Sequence, residues 1–270
     1  MRVLAVLACV GALTAAATPA RATEPPGVTF DFAAPKGARP AGLRTWKGRA
    51  WIPPQVLATP DASHPLIVFM HGLNKDRVPF RWMGVPADPD VRELVGALAD
   101  AGRIEAPIVV APTTTFECDV PRSMWPGFDL PWFLDLATRN VEPRAKVDRT
   151  RVLLVGHSGA GCNTTGGMAK AVGSGVPLRA VLVIDTCMDP PAGPLFARAA
   201  PETDVVITWQ PFTWDRPVDA FTAGFLHASE GAGARGARSV VRYAPSGSNQ
   251  HNAMVELSLA WWLPIWLPPG

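Results

Sequence analysis

The sequence predicts an α/β fold: a mostly parallel sheet with helices on both faces and no large cap domain. Three observations predict it. Short runs with almost no polar residue recur along the chain (Leu66–Met70, Ile108–Ala111, Val152–Val155, Ala180–Ile184, Val205–Trp209), as strands buried on both faces require. Segments with apolar residues at helical spacing lie between these runs, and that alternation is the signature of parallel strands joined by crossover helices. Finally, Val152–Val155 passes through small residues, Gly156-His157-Ser158-Gly159-Ala160-Gly161, into a helix-like segment expected over Cys162–Val172.

Taken in order, residues 23–42 are rich in proline, glycine and alanine and predict an irregular arm over the surface. Arg44–Ile52 alternates loosely and stops at Pro53-Pro54, as an edge strand would. Leu66–Met70 ends at His71-Gly72-Leu73-Asn74. Val91, Leu94, Val95 and Leu98 predict a helix over Asp90–Ala101 behind an acidic cap. Ile108–Pro112 predicts the next strand, and Trp132–Val141 a helix. Beyond the central turn, strands are predicted at Ala180–Ile184, Val205–Trp209 and Ser239–Tyr243. Ala253–Trp266 predicts a last apolar helix, broken or kinked at Pro264. Only about twenty residues separate Asp185 from Val205, within the range of an ordinary strand–helix–strand link, which leaves no room for a lid there.

Composition bounds the function. With 270 residues, 48% hydrophobic and 18% charged, the chain can bury one substantial core. The apolar run after Met1-Arg2, closing at Ala20-Arg21-Ala22, reads as a signal peptide over 1–22, followed by one domain over 23–270. The expected location is secreted or periplasmic, with no membrane anchor after cleavage. Removal of Arg2 and Arg21 leaves 23 basic against 23 acidic residues, and no basic stripe marks the chain for nucleic acid or an anionic membrane. Neither a C-x-x-C pair nor H-E-x-x-H is present, so no metal site and no cofactor are expected. Cys118, Cys162 and Cys187 permit one disulfide in an exported protein. Cys162–Cys187 is the expected pair, because both cysteines follow neighbouring strands at the same end of the sheet; Cys118 is the competing partner.

The chemistry centres on Ser158. A serine on a tight strand-to-helix turn stands clear of the sheet edge only if its neighbours are small, and Gly156 and Ala160 fill those places. Its hydroxyl is a poor nucleophile at neutral pH without a base, and the base needs a carboxylate to orient it. Of the five histidines, His64 precedes a strand, His71 belongs to an early turn, His157 adjoins the serine pointing away from it, and His227 sits in an expected helix. His251 follows the last strand in a predicted loop, Ser248-Asn249-Gln250-His251-Asn252.

These pieces resemble an α/β-hydrolase over most of the chain: His71-Gly72 after an early strand, Asp148 and Arg151 before the turn, Gly156-His157-Ser158-Gly159-Ala160, and the late His251. The stretch before the turn is similar to that of secreted esterases and polyester depolymerases, although those more often carry alanine then two glycines after the serine. The resemblance implies Ser158 as nucleophile, His251 as base, and an oxyanion hole from the main-chain N–H groups of Gly159 and Leu73. For the acid it implies two positions. Asp215 follows the strand that most relatives use, without their usual glycine, aspartate, proline spacing; Asp185, placed slightly ahead, ends the strand before it. The function so implied is an exported serine hydrolase cleaving carboxylic esters, small or polymeric, through an acyl-enzyme. The alternatives are a serine peptidase or amidase on the same fold, and an inert binding protein that keeps the fold. Trp125, Trp132, Trp209 and Trp214 are candidate borders of an open, shallow site.

Overall fold

The computed structural model describes residues 24–35, 37, 45, 47–85, 89–114 and 120–270. The leader expected over 1–22 and Cys118 lie outside the described residues.

The described chain runs β1 (Val28–Ala33), β2 (Lys47–Ile52), α1 (Pro54–Leu57), β3 (Ser63–Met70), α2 (Val91–Asp100), β4 (Ile108–Pro112), α3 (Leu130–Val141), β5 (Lys146–His157), α4 (Gly167–Val172), β6 (Ala180–Ile184), α5 (Ala192–Phe196), β7 (Asp204–Trp209), α6 (Val218–Gly231), β8 (Arg238–Arg242) and α7 (Gln250–Trp266). The strands form one sheet in the order β1-β2-β4-β3-β5-β6-β7-β8. Pairing is antiparallel from β1 to β2 and from β2 to β4, and parallel from β4 through to β8.

Strict alternation along the central strands builds two cores. Leu66, Val68, Val152, Leu154, Val181 and Val183 pack with α3, α4, α5 and α6 on one face. Ile67, Phe69, Leu153, Val155, Leu182 and Ile184 pack with α2 and α7 on the other. Both faces being covered, the buried stretches Leu66–Met70, Val152–Val155 and Ala180–Ile184 carry no polar position, which is why they read as unbroken apolar runs. Truncating any one of them, such as Leu154→Ala, should cost about 2–5 kcal/mol. The fold class expected from the sequence is thus borne out, and β6 and β7 are joined through the single short helix α5, with no large cap among the described residues.

Local expectations needed correction in four places. The arm expected over 23–42 contains β1, an exposed strand paired with β2 through Val28↔Ile52 to Ala33↔Lys47, so β2 is not the edge. The predicted helix over Cys162–Val172 is a 3₁₀ turn, Ser158–Gly161, and then α4 from Gly167. Asn163 breaks it: its Oδ1 accepts from the Thr165 backbone N–H and hydroxyl, its Nδ2 donates to Met124 O, and Gly167 takes φ +52°. The last helix begins at Gln250 rather than Ala253, because Asn249 caps it by accepting from Asn252 N. It also continues through Pro264, so it is not broken there. The carbonyl that Pro264 cannot bond, Ala260 O, accepts from Arg103 Nη2 at 3.0 Å instead.

Candidate active site

Strand β5 delivers Ser158. The strand ends at His157, and Ser158 takes φ +56°, a left-handed conformation uncommon outside glycine. The turn closes because its neighbours lack side chains. A methyl on Gly156 would lie 2.2 Å from Met168 Sδ, and one on Gly72 would lie 2.6 Å from Ser158 Cβ and 3.1 Å from its Oγ. The loop after β3 therefore passes directly over the serine. A methyl on Gly159 would stand 3.2 Å from the Leu73 nitrogen, so the two main-chain N–H groups expected to face a substrate oxygen are neighbours in space. His71 anchors this loop: its ring bonds Gly72 O at 2.8 Å and packs 4.6 Å from Trp125, whose Nε1 donates to His71 O.

Strand β6 delivers Asp185, fully buried and also left-handed at φ +49°. Each of its carboxylate oxygens has two partners. Oδ2 accepts from His251 Nδ1 at 2.5 Å and from Gln210 Nε2 at 2.8 Å; Oδ1 accepts from Gln210 N at 3.2 Å and pairs with Arg216 Nη1 at 2.7 Å. Burial alone would raise this carboxyl, but the hydrogen bonds from His251 and Gln210 and the charge of Arg216 outweigh it and hold the group below the ordinary carboxylate range. Asp185 is thus ionised at neutral pH. With Nδ1–H donating to it, His251 keeps Nε2 as an acceptor.

His251 comes from the first turn of α7, not from a loop, because the Asn249 cap starts the helix before it. Its ring is held on three sides. Asp185 bonds Nδ1, Trp214 makes an edge contact at 4.9 Å between centroids, and His157 lies 4.4 Å away. Burial, and then the neighbouring His251, push the His157 imidazole well below its ordinary value of 6.5, so it is neutral. Ser158 and His251 line one cleft of about 570 Å³, which also touches Leu73, Trp82, Arg122 and Trp214. Among the described residues no hydrogen bond joins Ser158 to His251, and pairs of this kind often tighten only with substrate in place.

The other candidates fall as follows. Asp215 is exposed at the cleft rim and makes no bond to His251 among the described residues. Asp148 and Arg151 pair at 2.7 Å near the start of β5, where Arg151 also reaches Glu105 and Ser63 O; they fasten strands and belong to the framework. Of the four tryptophans, Trp125 is buried, Trp132 and Trp209 are half-buried, and only Trp214 lines the cleft. Cys162 and Cys187 are disulfide-bonded and line the cleft too, tying the turn after Ser158 to the loop after Asp185. Gln210, Arg216 and His157 were not legible as site residues. Each acts through a contact far away in the chain, and nothing local in the sequence marks it.

Sheet order, the strained serine after β5 and the histidine at the start of the last helix together define an α/β-hydrolase fold. No protein-family model and no curated protein matches the chain. Solved structures do. A ferulic acid esterase superposes with a TM-score of 0.59 at 14% identity, over 90% of this chain and 98% of its own. A ferulic acid esterase from the anaerobic fungus Anaeromyces mucronatus gives 0.51 at 15%, over 89% and 92%. The acylaminoacyl peptidase of Pyrococcus horikoshii gives 0.53 at 12%, over 89% of this chain and 41% of its own. At these identities the likeness is one of fold.

Proposed function

We propose that the protein is a serine hydrolase of carboxylic esters, with Ser158 as nucleophile, His251 as general base and Asp185 as the acid. The observation that carries this reading is the 2.5 Å bond from His251 Nδ1 to a buried, ionised Asp185, at a cleft that His251 shares with the left-handed Ser158. Ser158 Oγ attacks the acyl carbon as His251 Nε2 takes its proton. The substrate oxygen gains charge and is met by the N–H groups of Leu73 and Gly159, donors fixed before the reaction starts. The imidazolium then protonates the leaving alkoxide, and a water activated by the same histidine releases the acid. Asp185 keeps the imidazole in the required tautomer and stabilises its cation while remaining ionised.

Two of the three neighbours described above are named as esterases, which supports esters over amides. The peptidase among them keeps the amidase alternative in view, because the same three residues serve both reactions. The leader read over residues 1–22 supports an exported protein. For substrate, the absence of a large cap over the described sheet and the wall formed by Trp214 favour short acyl groups, or esters exposed on a polymer.

The test is turnover of p-nitrophenyl esters from acetate to palmitate, beside the p-nitroanilide of acetate, with and without dispersed lipid. Acetate and butyrate esters should react fastest, the anilide at least about a hundredfold more slowly, and lipid should not accelerate the reaction; a tenfold difference in rate corresponds to about 1.4 kcal/mol of barrier. Anilide turnover matching the ester would favour the amidase, and strong interfacial activation with long-chain preference would contradict the open site.

A further inference from the structure

Four residues close a ring around the acid and base. Asp185 bonds His251 at 2.5 Å, His251 meets Trp214 at 4.9 Å, the Arg216 guanidinium lies over the Trp214 ring at 4.0 Å, and Arg216 Nη1 returns to Asp185 at 2.7 Å. Trp214 and Arg216 belong to the short loop after β7. That loop is itself fixed by Gln210, whose Oε1 accepts from Phe212 N and Thr213 N, and whose main-chain oxygen accepts from Arg216 Nη1 at 2.9 Å.

As a device for stability, Arg216 is a poor choice. Its side chain is 1% exposed, so its charge has been taken out of water, and its Nε and Nη2 have no hydrogen-bond partner among the described residues. A buried cation with two unpartnered nitrogens has lost hydration that an ion pair returns only when every donor is used. Apolar side chains in place of the whole ion pair would stabilise a fold as well or better, whereas losing Arg216 alone leaves Asp185 a buried charge without its cation. What an apolar side chain could not do is bind one carboxylate oxygen and one indole face together.

We propose that Arg216 is a positioning residue for the hydrolysis. It fixes Asp185 Oδ1, so that Oδ2 is the oxygen presented to His251, and it holds Trp214 against the imidazole. The inference rests on the reading of Ser158, His251 and Asp185 given above. Arg216 does not line the cleft that Ser158 and His251 share. It acts through Asp185 and Trp214, so its removal should lower kcat far more than it raises KM.

The test is a double-mutant cycle on the full chain with p-nitrophenyl acetate, near-UV circular dichroism and thermal melting serving as controls for folding. Arg216→Met should lower kcat about 10- to 100-fold, the scale of an ångström-level misplacement of a reacting group, with KM within about threefold. Arg216→Lys, which keeps the charge and one donor, should recover about tenfold of that loss. In an Asp185→Asn background the Met substitution should cost clearly less than in the wild type, because the carboxylate route is already gone and only the hold on Trp214 remains to be lost. A folded Arg216→Met enzyme with unchanged kcat, or the same loss in both backgrounds, overturns the proposal. If the Met variant does not fold, Arg216→Gln decides: a wild-type melt with kcat lowered and KM unchanged supports the proposal, and wild-type kcat overturns it. Ser158→Ala, run in parallel, separates the two layers, since undiminished turnover there would discard the underlying triad and not merely the role of Arg216.

Discussion

His157 and His251 stack with their ring centroids 4.4 Å apart, and His157 Nε2 lies 3.2 Å from the main-chain oxygen of His251. The residue before Ser158 therefore holds the first turn of α7, where His251, the proposed base, is mounted. Serving as that donor requires a proton on Nε2, and burial, with Trp82 against the ring, keeps the imidazole neutral so that Nε2–H is the tautomer this bond selects.

That neutrality predicts a pH dependence of stability. The folded His157 resists protonation, whereas the unfolded chain takes up a proton near the ordinary value of 6.5. Below that value the unfolded state binds more protons, so the stability tied to His157 is complete above about pH 6.5 and is lost as pH falls, with a slope of up to about 1.4 kcal/mol per pH unit. Urea unfolding at pH 7.5 and 5.5 should show this slope in the wild type and a shallower one in His157→Gln. Equal slopes would contradict it.

The acid is tested by neutralising each candidate. Asp185→Asn removes the carboxylate that His251 bonds and should cost roughly 10⁴-fold in kcat. Asp215→Asn alters an exposed rim residue and should cost less than about tenfold. The reverse ranking would place the acid after β7.

Cys162 and Cys187 are 25 residues apart, and their bond ties the loops carrying Ser158 and Asp185. The double substitution Cys162→Ala, Cys187→Ala should lower unfolding free energy by about 3 kcal/mol, from the loop entropy restored to the unfolded chain. Activity should fall even where the variant remains folded. A loss of stability under about 0.5 kcal/mol would show that the loops hold each other without it.

What the sequence made legible follows from where each signal resides. Val152–Val155, Gly156 and Ser158 announce strand and turn because burial on both faces and close packing constrain neighbours in the chain. β1 was missed because an exposed edge strand needs no apolar run. The acid was narrowed to two positions and no further, since the choice depends on which strand end faces the first turn of α7, a property of the sheet order. Arg216 was invisible: a buried arginine looks like any surface arginine until its partner, 31 residues earlier in the sequence, is brought against it.

The proposed chemistry depends above all on Ser158 being an activated nucleophile. Treating the purified protein with a fluorophosphonate and mapping the adduct by mass spectrometry tests it most directly. One phosphonyl group per chain is expected, on the peptide containing Ser158, absent from a folded Ser158→Ala variant and formed far more slowly in His251→Ala. An adduct on another residue, or labelling of Ser158→Ala at the wild-type rate, would contradict it.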